Sequence, residues 1–298
     1  MPRIRFTAAY DGRPYLGWQS QPGGRTVQDV LERAFSGLFG TPCRIHGSGR
    51  TDSGVHALGQ VFHADAPDTH RIPADKWPAA LNTRLPQDVR VTASREVPEG
   101  FHARFSAAGK VYAYVFSNAP ASSALYGRFS AHCPVRLDEA AMDRAARALV
   151  GRHDFTAFQA AGGTAKTFVR EMRAARVARR GNLVTFLIYG TGFLYNMVRI
   201  CAGTLALVGQ GKLPEDCFEQ AYATRSRLSL GYTAPAKGLT LVRVLYPGQE
   251  AQGEALAGMD ALFGGADAAE FLPDGPELLP PKPLDLTEKP LDGEENLR

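Results

Sequence analysis

The sequence predicts an α+β protein of two domains, and three features predict it. Alternating apolar stretches of strand length recur along residues 1–249, stretches with helical apolar spacing fall between them, and each half of that region holds both kinds. A chain of 298 residues has length for about two hydrophobic cores. The division read from the chain is 1–106, 107–249 and a compositionally distinct 250–298. No internal repeat aligns the two halves.

Taken in order, Ile4–Tyr10 alternates as a strand and stops at the turn signal Asp11-Gly12. A Gly- and Pro-rich loop with Trp18 and Gln19 follows. Thr26 and Asp29 then make a capping-box start for a helix over Val27–Phe39, whose Val27, Val30, Leu31, Ala34, Phe35 and Leu38 share a face. Gly40-Thr41-Pro42 ends it. Strands are predicted around Arg44–His46 and over Val55–Ala64, a helix around Ala74–Thr83 and a strand at Val89–Glu96. Phe101–Ala107 links the halves. Strict alternation in 110–116 then puts Tyr112, Tyr114 and Phe116 on one strand face. Asn118–Arg128 reads as a loop, Asp138–Val150 as a helix and Ala160–Thr164 as a mobile surface loop. Thr167–Arg179 and Leu183–Thr191 pair as a hairpin across Arg180-Gly181-Asn182. Phe193–Val208 reads as an apolar helix and Leu239–Leu245 as the last strand.

Hydrophobic content of 44% and charged content of 21% are those of a soluble globular protein. No run approaches a membrane span and the N-terminus lacks a signal peptide's apolar segment. Cys43, Cys133, Cys201 and Cys217 are scattered without a Cys-x-x-Cys pair, which points to reduced thiols and a cytoplasmic protein. The net charge of +4 hides an asymmetry. Residues 250–298 carry twelve carboxylates against three cationic side chains, a net −9, which leaves +13 on residues 1–249. A body that basic suits a polyanionic partner such as nucleic acid, though solubility alone also accounts for it. Six of the chain's 20 prolines and this acidic excess predict a disordered tail after Gly248.

The stretch that invites chemistry is Gly47-Ser48-Gly49-Arg50-Thr51-Asp52-Ser53-Gly54-Val55-His56-Ala57, a polar loop framed by apolar strands. Asp52 is either catalytic or the closing residue of an Asx turn. A metal site would draw on Asp52, His56, His46 and His63, but without a helical frame for the ligands. On the helix over 193–208, Arg199 lies opposite the stripe of Leu194, Met197, Val198, Cys201, Leu205 and Val208. It is either a solvated arginine or one that meets a carboxylate and keeps it ionised. Tyr112 and Tyr114 suit core packing or base stacking, and His102 and Arg104 suit phosphate contacts.

Gly49-Arg50-Thr51-Asp52-Ser53-Gly54-Val55-His56-Ala57 resembles the signature of the tRNA pseudouridine synthase A family, with serine at 53 where alanine is usual. Further blocks match in the family's order from about residue 3 to 246: Tyr10-Asp11-Gly12 with Gly17-Trp18-Gln19, Thr26-Val27-Gln28, Phe101–Ala107 with Tyr112-Ala113-Tyr114, His153–Phe158, Phe193–Arg199 and Gly238–Leu241. The resemblance implies a pseudouridine synthase fold, two α/β domains whose mainly antiparallel sheets join around a central active-site cleft. It implies an isomerase that converts uridine to pseudouridine at positions 38 to 40 of tRNA, acting as a homodimer without metal or organic cofactor. Asp52 is then the nucleophile, Arg199 its ion partner, Arg50 the residue that displaces the target base and Tyr112 the active-site tyrosine. Arg104, His102 and Leu241 complete the implied substrate contacts. Two other classes compete, a non-catalytic RNA-binding protein and a metal-dependent hydrolase built on Asp52 and His56.

Overall fold

The chain is described here by a computed structural model covering residues 2–67 and 72–247. The acidic stretch 248–298, with its predicted disorder, lies outside the described residues. Ten strands form one sheet: β1 (Arg3–Tyr10), β2 (His46–Gly47), β3 (His56–Asp65), β4 (Val89–Val97), β5 (Gly109–Ser117), β6 (Ala131–His132), β7 (Gly151–Asp154), β8 (Val169–Arg180), β9 (Leu183–Gly190) and β10 (Leu239–Leu245). The spatial order is β4-β1-β3-β10-β5-β9-β8-β7, with β2 beside β3 and β6 beside β5. All pairings are antiparallel except β10 with β3 and β5 with β6. The last strand therefore stands between the strands of the two halves.

Helices α1 (Val27–Phe39) and α2 (Trp77–Asn82) cover one side of the N-terminal strands. Phe6 stacks on Phe62 at 4.9 Å and meets Phe35 of α1 edge-on at 5.3 Å and Trp77 of α2 at 5.7 Å. The capping box forms as the sequence predicts. Thr26 Oγ1 accepts from the Asp29 amide, Asp29 Oδ2 accepts from the Thr26 amide, both at 3.2 Å, and Gly40 closes the helix at φ 70°. Such a cap stabilises a helix by about 1 kcal/mol. Helices α3 (Glu139–Arg147), α4 (Met197–Gly209) and α5 (Cys217–Thr224) serve the C-terminal half. The α4 helix is buried around most of its circumference, and Gly203 lets the Tyr232 carbonyl approach where any Cβ would clash.

Registers align one residue from each central strand: Tyr10 opposite Ala57, Ala57 beside Leu241, Leu241 opposite Tyr112, Tyr112 opposite Ile188, and Ile188 opposite Ala175. Directly paired residues share a sheet face, so these residues form one buried row across the sheet. The opposite face holds a separate small cluster of Val111, Leu187, Tyr189 and Leu245.

Several expectations change. The helix read over 193–208 begins only at Met197, because Asn196 adopts a left-handed conformation at φ 58° and turns the chain just before it. The helix around 74–83 shortens to Trp77–Asn82, with Pro78 in its first turn, and the strand around 44–46 shifts to two residues, His46–Gly47. The helix from Asp138 stops at Arg147, three residues early, with Ala148 as its cap. Strands β6 and β7 and helix α5 carry too little periodicity in too few residues to be read beforehand.

Candidate active site

The loop between β2 and β3 is held by hydrogen bonds on all sides. The Ser48 amide donates to the Val61 carbonyl at 2.7 Å, and the Ser48 hydroxyl donates to Gln60 Oε1 at 2.7 Å. Gln60 in turn donates to the Gly49 carbonyl at 3.1 Å. Farther along, the Trp18 amide donates to the Thr51 carbonyl at 3.0 Å, and the Tyr10 hydroxyl pairs with Thr51 Oγ1 at 2.9 Å. The preceding loop presses in so closely that a Cβ at Gly17, whose φ is +88°, would lie 2.6 Å from the Thr51 carbonyl oxygen. Ser53, where alanine is usual, uses its hydroxyl to donate to the Tyr15 carbonyl at 3.1 Å.

Against this network the Asp52 side chain stands apart. The Val55 amide donates to the main-chain carbonyl of Asp52 at 3.1 Å, so the turn is closed by backbone and the carboxylate is not used as an Asx cap. Its partner is Arg199 Nη1 at 3.6 Å, an ion pair rather than a hydrogen bond. The side chains are 30% and 17% exposed. Arg199 thus faces inward from the first turn of α4. Its Nε donates to the Ala234 carbonyl at 2.7 Å and its Nη1 to Asn196 Oδ1 at 2.8 Å. The left-handed Asn196 explains itself here, since the same turn that starts α4 aims an acceptor at the guanidinium.

Burial raises the Asp52 carboxyl above its ordinary value, and the Arg199 charge opposes that rise without cancelling it. Sequence reasoning anticipated the sign of the Arg199 effect but not that desolvation outweighs it. An ion pair at about 4 Å supplies roughly 4 kcal/mol at an effective dielectric of 20, while removing an ion from water costs several.

Tyr112 lies in the buried row, its ring edge-on to Phe193 at 5.1 Å. Burial first, then the neighbouring Tyr10 and Asp52, push its phenol far above the ordinary value. Leu241 is its direct neighbour on β10. Arg50 is exposed and donates to Gln19 Oε1 at 3.3 Å. His102 and Arg104 belong to a different cluster. The His102 ring lies 4.7 Å from His63 and 5.7 Å from His46, and its Nδ1 accepts from the Arg104 amide at 3.1 Å. His56 turns its Nδ1 to the Gly12 amide at 3.2 Å and the Asp11 carboxylate at 3.3 Å. Among the described residues no three His, Cys, Asp or Glu side chains gather as metal ligands. Two surface cavities, about 330 Å³ beside Arg33 and Arg84 and about 210 Å³ beside Arg5 and Arg95, contain neither Asp52 nor Arg199.

Sequence reasoning passed over Lys110, Tyr10, Gln60 and Asn196. Lys110 had one usable signal, its place two residues before Tyr112 on the same strand face.

The family described as tRNA pseudouridine synthase matches residues 7–106 and 145–247. The tRNA pseudouridine synthase A of Akkermansia muciniphila is 57% identical over 254 residues, covering 83% of this chain and 96% of that protein. Those of Ruminiclostridium cellulolyticum and Acetivibrio thermocellus are each 46% identical, covering 83% of this chain and the whole of theirs. Similarity of that extent, running through both the loop of Asp52 and the helix of Arg199, leaves one assignment: the chain belongs to the tRNA pseudouridine synthase family, whose members are isomerases.

Proposed function

We propose that this protein converts uridine to pseudouridine in the anticodon stem-loop of tRNA, at positions 38 to 40, with Asp52 as nucleophile. The observation that carries the reading is the Asp52 carboxylate, positioned by a hydrogen-bonded loop yet paired, among the described residues, with the Arg199 guanidinium alone. A carboxylate not consumed by hydrogen bonds keeps its lone pairs for an electrophile. Attack by Asp52 starts cleavage of the bond between N1 of the base and C1′ of the sugar. The freed uracil rotates, C5 bonds to C1′ as the bond formed to Asp52 breaks and returns the carboxylate, and a proton passes from C5 to solvent while N1 gains one. Arg199 holds the carboxylate ionised and oriented.

Tyr112 packs on the base. A phenol pushed so far up is neutral at physiological pH, which favours stacking and hydrogen-bond donation over action as a resting base. Arg50, exposed at the rim, enters the helix to displace the target nucleotide, a step costing a few kcal/mol that stacking and phosphate contacts must offset. His102 and Arg104 contact phosphates, and Leu241 forms the floor beside Tyr112. The chain works in the cytoplasm as a homodimer whose subunits share one tRNA, and each subunit divides at about residue 106 into two domains. The test is Asp52→Asn assayed for tRNA binding and for pseudouridine mapped at each position. Binding without modification is expected, and retained modification at 38 to 40 ends the nucleophile assignment.

A further inference from the structure

Lys110 opens the β5 strand two residues before Tyr112 and is half-buried, yet nothing in the proposed chemistry uses it. Its Nζ donates to the Ser48 carbonyl at 2.9 Å. Among the described residues that is its one hydrogen bond. Burial pushes the amine down to about 8, which measures how poorly the position suits a charge. A side chain that served packing alone would do better there without its nitrogen.

Gly49 supplies an independent observation. Unlike Gly54 at φ +80°, it has no left-handed backbone to require glycine. What a Cβ at Gly49 would meet is Lys110 Nζ, the free end of a flexible side chain that would have to move aside. The absent side chain and the lysine therefore form one device. The next residues in the chain are Arg50, Thr51 and Asp52.

We propose that Lys110 is a positioning residue, whose grip on the Ser48 carbonyl sets the Gly49-Arg50 turn and through it the place of the Asp52 carboxylate. Gly49 is the space that lets it grip. This rests on the reading of Asp52 as nucleophile. A displacement of about 1 Å in a reacting group can cost a hundredfold in rate. The role therefore shows in turnover rather than in tRNA affinity.

The experiment measures kcat and KM on a tRNA transcript for Lys110→Met, Lys110→Arg, Gly49→Ala and the Gly49→Ala/Lys110→Met double variant, each checked by thermal melting. Lys110→Met and Gly49→Ala are each expected to lower kcat about tenfold to a hundredfold with KM nearly unchanged. Lys110→Arg recovers most of the loss. The double variant is no slower than either single one, because both break the same contact. If Lys110→Met fails to fold, Gly49→Ala carries the test by the same split. An unchanged kcat, a loss confined to KM, or losses that multiply in the double variant overturn the proposal. An Asp52→Asn enzyme that stays active removes the underlying reading, whereas a dead Asp52→Asn beside a normal Lys110→Met removes this inference alone.

Discussion

Asp52 and Asp143 are both carboxylates set among packed elements beside arginine, yet they are held in opposite ways. Asp143 accepts from the Val177 amide at 2.8 Å, from Arg147 Nη2 at 2.9 Å and from Arg176 Nε at 3.1 Å. Burial pushes its carboxyl up, but the Val177 amide and the two guanidinium groups hold it below its ordinary value. Asp52 has one guanidinium at 3.6 Å, and burial keeps its carboxyl above the ordinary value. An adjacent arginine does not by itself make a carboxylate comfortable; direct donors do. The first arrangement fastens α3 to β8, and the second leaves a part-exposed carboxylate beside a single guanidinium.

The sharpest way to break this contrast is Asp52→Asn. On its proposed role as nucleophile, activity is expected to fall by about 10⁴-fold or more, while the melting temperature rises. The sign follows from the raised carboxyl. The folded state holds the proton more tightly than the unfolded one, so ionised Asp52 costs stability at neutral pH, and asparagine removes that cost. A lower melting temperature would refute the contrast. Arg199→Met comes next, with a loss of about a hundredfold. It also moves the acid limb of the pH–rate profile to higher pH, because the charge that lowers the Asp52 carboxyl is gone.

Asp143→Asn should leave the chemistry intact and destabilise the fold by about 2 kcal/mol, read by denaturant titration. Here the folded carboxyl lies below the ordinary 3.8, so its contribution is present above that pH and is lost as pH falls through the folded value. The difference between variant and parent should therefore shrink in acid. Arg50→Ala comes last, expected to slow modification while tRNA affinity changes only a few-fold, because its proposed part is to displace the target base.

Much of this was legible beforehand, for definable reasons. The helix over 27–39 announces itself through a local hydrogen-bonded cap and a repeating apolar face, both functions of neighbouring residues. Asp52 was conspicuous in a polar loop between apolar strands, but local sequence could not separate nucleophile from turn residue. Whether it serves as the turn's cap depends on whether Val55 donates to the side chain or to the main chain. Arg199 was read as opposite the helix's apolar stripe; what occupies that side is Ala234 and Asp52, each distant in sequence. Lys110 was missed because a lysine in an alternating strand looks like a solvated one until the Ser48 carbonyl is placed above it.

The position of β10 has a consequence for how the molecule comes into being. Strand 239–245 pairs with β3 on one side and β5 on the other, although it is made after both. A nascent chain that has reached residue 238 has the Asp52 loop and the Arg199 helix but no strand to bridge their sheets. Closing them waits on contacts across some 180 residues, and contacts of high sequence separation form slowly. The join between the two halves of the sheet thus forms only after strand 239–245 is made.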